Sequence, residues 1–196
     1  MQKLIALVIL IGYFSLPLVA QDYSKVEVFG GYQYTHFGSS TSPLATANGF
    51  DGNFTYFFNK SVGVEGDFTG AYQKTSVSVT ESNGSVIAAN VPLHWYSYAG
   101  GPVFYFPIGK KIRPFAHALF GGARETTSVS AEGVSASVSL NGFTTLIGGG
   151  VDVKLSKRIA LRLVQADWVL YRFSAFGVTA TSHDTVKIAT GVAFCF

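Results

Sequence analysis

A single cysteine, a single methionine and a charged fraction of 13% set the first limits on this chain of 196 residues. One cysteine cannot close an internal disulfide or supply a multi-cysteine metal site, so Cys195 reads as a small packing residue. The charged fraction is about half the roughly 25% typical of soluble domains. The sequence shows no basic cluster, which excludes a nucleic-acid partner, and beyond residue 20 no apolar run approaches the roughly 20 residues of a membrane helix. What the chain has in quantity is 22 Gly, 17 Phe and 10 Tyr, a composition suited to many strands and to aromatic belts.

The start of the chain supplies a compartment. Lys3 precedes the apolar run Leu4 to Leu16, followed by Leu18-Val19-Ala20 and polar Gln21-Asp22. This is the pattern of a secretory signal peptide over residues 1–20, with cleavage expected after Ala20 although Leu18 is larger than the small residue usual there. No Cys follows, so lipoprotein processing is not indicated. Residues 21–196 then form one domain, whose formal net charge is +2 once Lys3 is lost.

The last eleven residues place Val186, Ile188, Thr190, Val192, Phe194 and Phe196 on one side of an extended strand, with Lys187, Ala189, Gly191, Ala193 and Cys195 on the other. One side suits lipid, and the other suits a crowded interior holding a charge. The same rhythm predicts strands at Lys25 to Thr35, Gly49 to Asn59, Ser61 to Gln73, Leu93 to Phe106, Arg113 to Glu125, Gly142 to Leu155, Arg158 to Arg172 and Asp184 to Phe196. Connections at Asn59-Lys60, Pro107 to Ile112 and Ser156-Lys157 are short. Those at His36 to Asn48, Lys74 to Val91, Thr126 to Asn141 and Phe173 to His183 are long. Strict short-long alternation is what an up-and-down barrel with both termini in the periplasm requires. The expected fold is therefore an all-β, eight-stranded antiparallel up-and-down transmembrane β-barrel, which leaves no open edge in lipid.

Face assignment points Glu27, Glu65, Asp67, Asp152 and Lys187 into the lumen, with Arg113 and His117 as further members. Charges cannot face lipid cheaply, and eight strands leave room only for side chains, so mutual pairing in a structural network is expected. Arg162 and Asp167 lie five apart, and strict alternation sends them to opposite faces. Either a bulge brings both inward, or Leu163, Gln165 and Asp167 face the lumen while Arg162 snorkels to the headgroups.

GGVDVKLSKRIALRLVQADWVL from Gly149 to Leu170 resembles the penultimate hairpin of the OmpA-type barrel, VEVFGGYQY its first strand, and PFAHALFGGAR from Pro114 to Arg124 one of its middle strands. The resemblance to the small OmpA/OmpX-like family covers nearly all of residues 21–196. It implies an eight-stranded barrel of the outer membrane, and the expected departure from OmpA is that no peptidoglycan-binding domain follows. It also implies that Ile188, Val192, Phe194 and terminal Phe196 form the signal read by the barrel-assembly machinery. Outer-membrane lipid and lipopolysaccharide, and an extracellular protein or surface ligand at the loops, are the implied partners of a monomer.

Thr75 to Val91 and Thr126 to Leu140 continue the alternation past membrane length, which predicts protruding hairpins with Asn83-Gly84 and Glu132-Gly133 near their tips and edges open to strand addition. A non-enzymatic surface or envelope protein, with no cofactor, metal site or catalytic residue, is the expected function. One alternative is a small-solute channel, for which inward Gly63, Gly148, Gly150, Gly191, Ala189 and Ala193 leave room and Phe29, Tyr105 and Leu119 interrupt the path. Another is a lipid A-modifying enzyme, suggested by Ser182-His183-Asp184 and His36 at the outer end. Successive strand residues point to opposite sides, so that tripeptide cannot form a relay by itself. His94 and His117 are too widely separated in the chain for metal-ligand spacing.

Overall fold

Residues that alternate between apolar and polar can satisfy lipid on one side and a polar interior on the other only if every backbone group finds a partner within a closed sheet. The computed structural model describes residues 23–38, 45–80, 86–131, 134–175 and 178–196, and these form eight strands and no helix. They are β1 (Val26–Gly38), β2 (Ala45–Phe57), β3 (Val62–Thr80), β4 (Val86–Tyr105), β5 (Ile112–Ala131), β6 (Val134–Lys154), β7 (Ile159–Ala175) and β8 (Val178–Cys195). Each strand pairs antiparallel with the next. β1 closes on β8 through a ladder running from Glu27 opposite Cys195 to Gly38 opposite Asp184, completing the barrel in sequence order.

Three tight connections, residues 58–61, 106–111 and 155–158, gather at one end of the barrel together with the start of β1 and the end of β8. Their local chemistry is visible. Asn59 Oδ1 accepts from the amides of Ser61 and Val62 at 2.8 and 2.9 Å, and Ser156 Oγ accepts from those of Arg158 and Ile159 at 3.2 and 3.1 Å. Gly109 adopts φ = 63°, the left-handed region that a side chain disfavours, which lets the chain reverse between β4 and β5.

At the opposite end the ladders continue past the eight expected strand ends as the protruding hairpins that the alternation predicted. β3 and β4 stay paired to Thr80 opposite Val86, and β5 and β6 to Ala131 opposite Val134. The expected tips at Asn83-Gly84 and Glu132-Gly133 lie outside the described residues. The connections expected to be long at His36 to Asn48 and Phe173 to His183 are shorter, because β1 extends to Gly38, β2 begins at Ala45, and β7 and β8 pair to Ala175 opposite Val178. In these Ser- and Thr-rich segments the hairpin ladder supplies the backbone partners.

The outer face carries Val28, Phe50, Phe54, Val64, Phe68, Phe104, Phe120, Ile147 and Ile188, all exposed. Inside, three layers stack. Phe57, Val103, Tyr105 and Phe115 pack at the turn end, with Tyr23 against them. Phe37, Leu119, Leu146, Val169 and Tyr171 pack at the loop end among Ala47, Ala71, Ala99 and Ala123. Between these apolar layers lies a buried polar core.

Candidate functional site

The polar core is built from inward positions of all eight strands, and its geometry depends on one irregularity in β7. The β6–β7 register passes from Val151 opposite Val164 to Asp152 opposite Arg162, and the β7–β8 register from Arg162 opposite Gly191 to Gln165 opposite Ala189. On both sides one residue of β7 is extra, which is a β-bulge at Leu163. Leu163 and Val164 consequently both face outward, 52% and 45% exposed, while Arg162, Gln165 and Asp167 all face inward and are fully buried. The bulge arrangement therefore holds, and the alternative with Arg162 at the headgroups and Leu163 in the lumen is excluded.

Arg162 is the hub of the lower half. Its Nε donates to Asp152 Oδ1 at 2.9 Å, and its terminal nitrogens donate to Asn53 Oδ1 at 2.8 Å, Gln165 Oε1 at 2.7 Å and Tyr105 Oη at 3.2 Å. The guanidinium plane lies between two rings, 4.1 Å from the centroid of Phe29 and 4.3 Å from that of Phe115. A delocalised, weakly hydrated cation tolerates this setting, where an ammonium would lose more hydration than it regains. Beside it Arg113 donates to Glu27 Oε2 at 2.7 Å and Asp152 Oδ2 at 3.3 Å, and the thiol of Cys195 reaches Glu27 Oε2 at 3.4 Å.

The upper half centres on Lys187 and His117. Lys187 Nζ stands 2.9, 3.2 and 3.1 Å from carboxylate oxygens of Asp51, Asp67 and Asp167. His117 Nδ1 lies 2.7 Å from Glu65 Oε1 and its Nε2 2.9 Å from Asp167 Oδ1, so both ring nitrogens face carboxylates. Asn53 ties the halves together, donating to Asp67 Oδ2 at 2.6 Å while accepting from Arg162. Six carboxyl groups thus share two guanidinium groups, one lysine and one imidazole.

All seven residues singled out in the sequence, Glu27, Glu65, Asp67, Arg113, His117, Asp152 and Lys187, are in this one contact network. Asp51 and Asn53 were missed, although the pattern of β2, with Phe50, Gly52, Phe54 and Tyr56 outward and Asp51, Asn53, Thr55 and Phe57 inward, carries the same signal. Glycines that left room in the sequence are filled in space. A Cβ on Gly148 would stand 2.2 Å from Asp167 Oδ1, and one on Gly150 would stand 2.9 Å from the Phe115 ring.

Other candidates disperse. Ile188, Phe194 and Phe196 are exposed on the outward face, with Val192 half-buried on the same side. His94 packs edge-on against Tyr72 outside the barrel, and His36 sits in β1 opposite Val186. The side chains of Ser182 and His183 lie outside the described residues. Their backbones pair with Arg172 and Tyr171, so they take successive positions on β8. Among the described residues no group of three His, Cys, Asp or Glu is arranged to hold a metal.

Residues 6–194 match the family model described as "Outer membrane protein beta-barrel domain". No curated protein matches the sequence significantly. Among solved structures the fold is similar to Ail, the attachment invasion locus protein of Yersinia pestis, at 19% identity and a TM-score of 0.61, covering 89% of this chain and 99% of that one. Ail in complex with the heparin analogue sucrose octasulfate matches at 18% identity and a TM-score of 0.62 over the same shares. Neisserial surface protein A matches at 14% identity and a TM-score of 0.55, covering 90% and 100%. At these identities the likeness is one of fold.

Proposed function

The chain belongs to the outer membrane protein beta-barrel domain family, and on that premise we propose that it is a non-enzymatic surface-docking protein of the outer membrane. Its lumen is a structural plug, and its two long hairpins present backbone edges to an extended segment of an extracellular protein. In this reading residues 1–20 are a cleaved signal peptide and residues 21–196 the mature barrel, a monomer with both termini in the periplasm. The barrel-assembly machinery reads Ile188, Val192, Phe194 and Phe196, and lipid and lipopolysaccharide surround the outer face.

The observation that carries the docking role is the mismatch between neighbouring ladders. Pairing of β2 with β3 ends at Asn48 opposite Tyr72, while β3 and β4 continue to Thr80 and Val86. Pairing of β4 with β5 ends at Leu93 opposite Thr127, and of β6 with β7 at Gly142 opposite Phe173, while β5 and β6 continue to Ala131 and Val134. Residues 73–80, 86–92, 128–131 and 134–141 therefore have a strand neighbour on one side only, among the described residues. At roughly 3.3 Å per residue, 73–80 projects on the order of 25 Å beyond the β2 partner. These segments hold a single charged residue, Lys74, and 76–80, 128–131 and 134–139 alternate Ser or Thr with Val or Ala, which suits addition of a further strand.

The test is excision. Thr75 pairs with Val91 and Thr127 with Val138, so a two-residue Asn-Gly turn can replace 76–90 or 128–137 without disturbing the register below. Cells displaying each shortened barrel are compared with wild type for binding to immobilised extracellular-matrix and serum proteins. Loss of binding with heat-modifiable mobility retained supports docking by the hairpins, and unchanged binding overturns it.

A further inference from the structure

The sequence shows no basic run, yet the fold assembles a basic cluster from separate turns. Lys60 lies in the β2–β3 turn, Lys110 and Lys111 in the β4–β5 turn, and Lys157 and Arg158 in the β6–β7 turn, all exposed at one end of the barrel. Lys25 and Lys154 flank them. The turns are about fifty residues apart in the chain and become neighbours through barrel closure, as the amide of Lys154 donating to the Lys111 carbonyl at 2.8 Å demonstrates. The described residues of this rim, 23–26, 57–62, 105–112, 154–159 and 194–196, include no Asp or Glu. Glu27, which follows this stretch on β1, is buried and engaged by Arg113.

Two further observations locate the cluster and give it shape. Phe58, Phe106, Ile108, Leu155 and Phe196 are exposed on the same turns and strand ends, an apolar collar that seats this rim at the edge of the hydrocarbon. Between the turns a concavity of about 860 Å³ is lined by Lys110, Lys111, Lys154, Lys157 and Arg158, with Phe196 at its border. Cations crowded around one hollow repel one another, and at headgroup depth the group that relieves the repulsion is a phosphodiester.

We propose that this basic rim is a binding site for anionic phospholipid headgroups, with Lys110, Lys111, Lys157 and Arg158 contacting the phosphate and the collar holding the acyl chains. The occupant is a lipid rather than free phosphate, because the cationic hollow is continuous with the lipid-facing collar. In the orientation proposed above, the site faces the phospholipid leaflet of the outer membrane. The inference is independent of hairpin docking, since it concerns the opposite end of the barrel.

The experiment places the refolded barrel in nanodiscs of phosphatidylcholine mixed with phosphatidylglycerol and reads the lipids retained on release by native mass spectrometry. Phosphatidylglycerol is expected to be enriched over phosphatidylcholine at low salt and to lose that enrichment at high salt. K110Q/K111Q/K157Q/R158Q lowers the enrichment roughly tenfold, whereas R124Q/R172Q at the other end leaves it unchanged. K157Q/R158Q alone, confined to one exposed turn, gives an intermediate loss and serves if the fourfold variant lacks heat-modifiable mobility. Inorganic phosphate at matched ionic strength displaces the lipid no better than chloride. Equal retention of the two lipids, enrichment indifferent to the substitutions, or specific displacement by inorganic phosphate would each overturn the proposal.

Discussion

Arg162 and Asp152 face each other across the β6–β7 ladder with Nε 2.9 Å from Oδ1, and they do so because Leu163 is an extra residue in β7. Without that insertion the alternation from Asp167 would send Arg162 to the lipid face. A single backbone irregularity thus delivers the largest fully buried side chain among the described residues into the lumen.

Deleting Leu163 removes the bulge and should therefore damage folding far more than truncating its side chain. In the deletion variant either Arg162 or Gln165 and Asp167 must turn outward, a cost of about 2–4 kcal/mol for one cation at the bilayer midplane. The fraction of refolded protein showing heat-modifiable mobility should collapse for the deletion and stay near wild type for Leu163→Ala.

Arg162→Met leaves Asp152 without its closest cationic partner, and breaking a buried pair in this way costs about 3–5 kcal/mol. Arg162→Met combined with Asp152→Asn should cost less than the sum of the two single changes, because the second removes the charge that the first strands. Urea unfolding in lipid vesicles measures all three. Strict additivity would show that the two side chains are energetically independent.

Lys187→Met strands three carboxylates, those of Asp51, Asp67 and Asp167, around a vanished ammonium. This should be among the most damaging conservative changes in the lumen, at least the roughly 3 kcal/mol of a broken buried pair. Adding Asp67→Asn should recover part of the loss in the same unfolding assay. No recovery would indicate that packing, rather than charge, is what Lys187 contributes.

Gly148→Ala adds a methyl group where Asp167 Oδ1 stands 2.2 Å and the Ala166 carbonyl oxygen 2.4 Å from the new carbon. The carboxylate must move, loosening its contact with His117, and overpacking of this kind costs about 1–3 kcal/mol. Gly66→Ala, on the outer face with its nearest neighbour at 4.0 Å, is the matched control and should be neutral in the unfolding assay.

Apolar layers above and below the polar core predict a non-conducting barrel. Planar bilayers containing the refolded protein should show no stable single-channel steps. Reproducible steps of uniform size would contradict a plugged lumen and favour the small-solute channel.

The division between what could be read early and what could not follows particular residues. Glu27, Glu65, Asp67, Asp152 and Lys187 are legible as inward because each sits between two apolar outward neighbours in an unbroken alternation. Asp51 was equally legible from β2. The facing of Arg162 was not, since a bulge is one inserted residue with no signature beyond the conflict it resolves. The basic rim escaped for a different reason: its members come from three turns that only closure brings together.

By itself the sequence determined the strand period and the two faces, because these depend on neighbours two residues apart and on a solvent that forbids unpaired backbone. Tertiary structure alone decided which charge meets which. Arg162 reaches Asn53 across 109 positions and Lys187 reaches Asp67 across 120, distances along the chain that no local pattern spans. Those pairings follow from register and from the β7 bulge, where a shift of one residue exchanges every lumen side chain for a lipid-facing one.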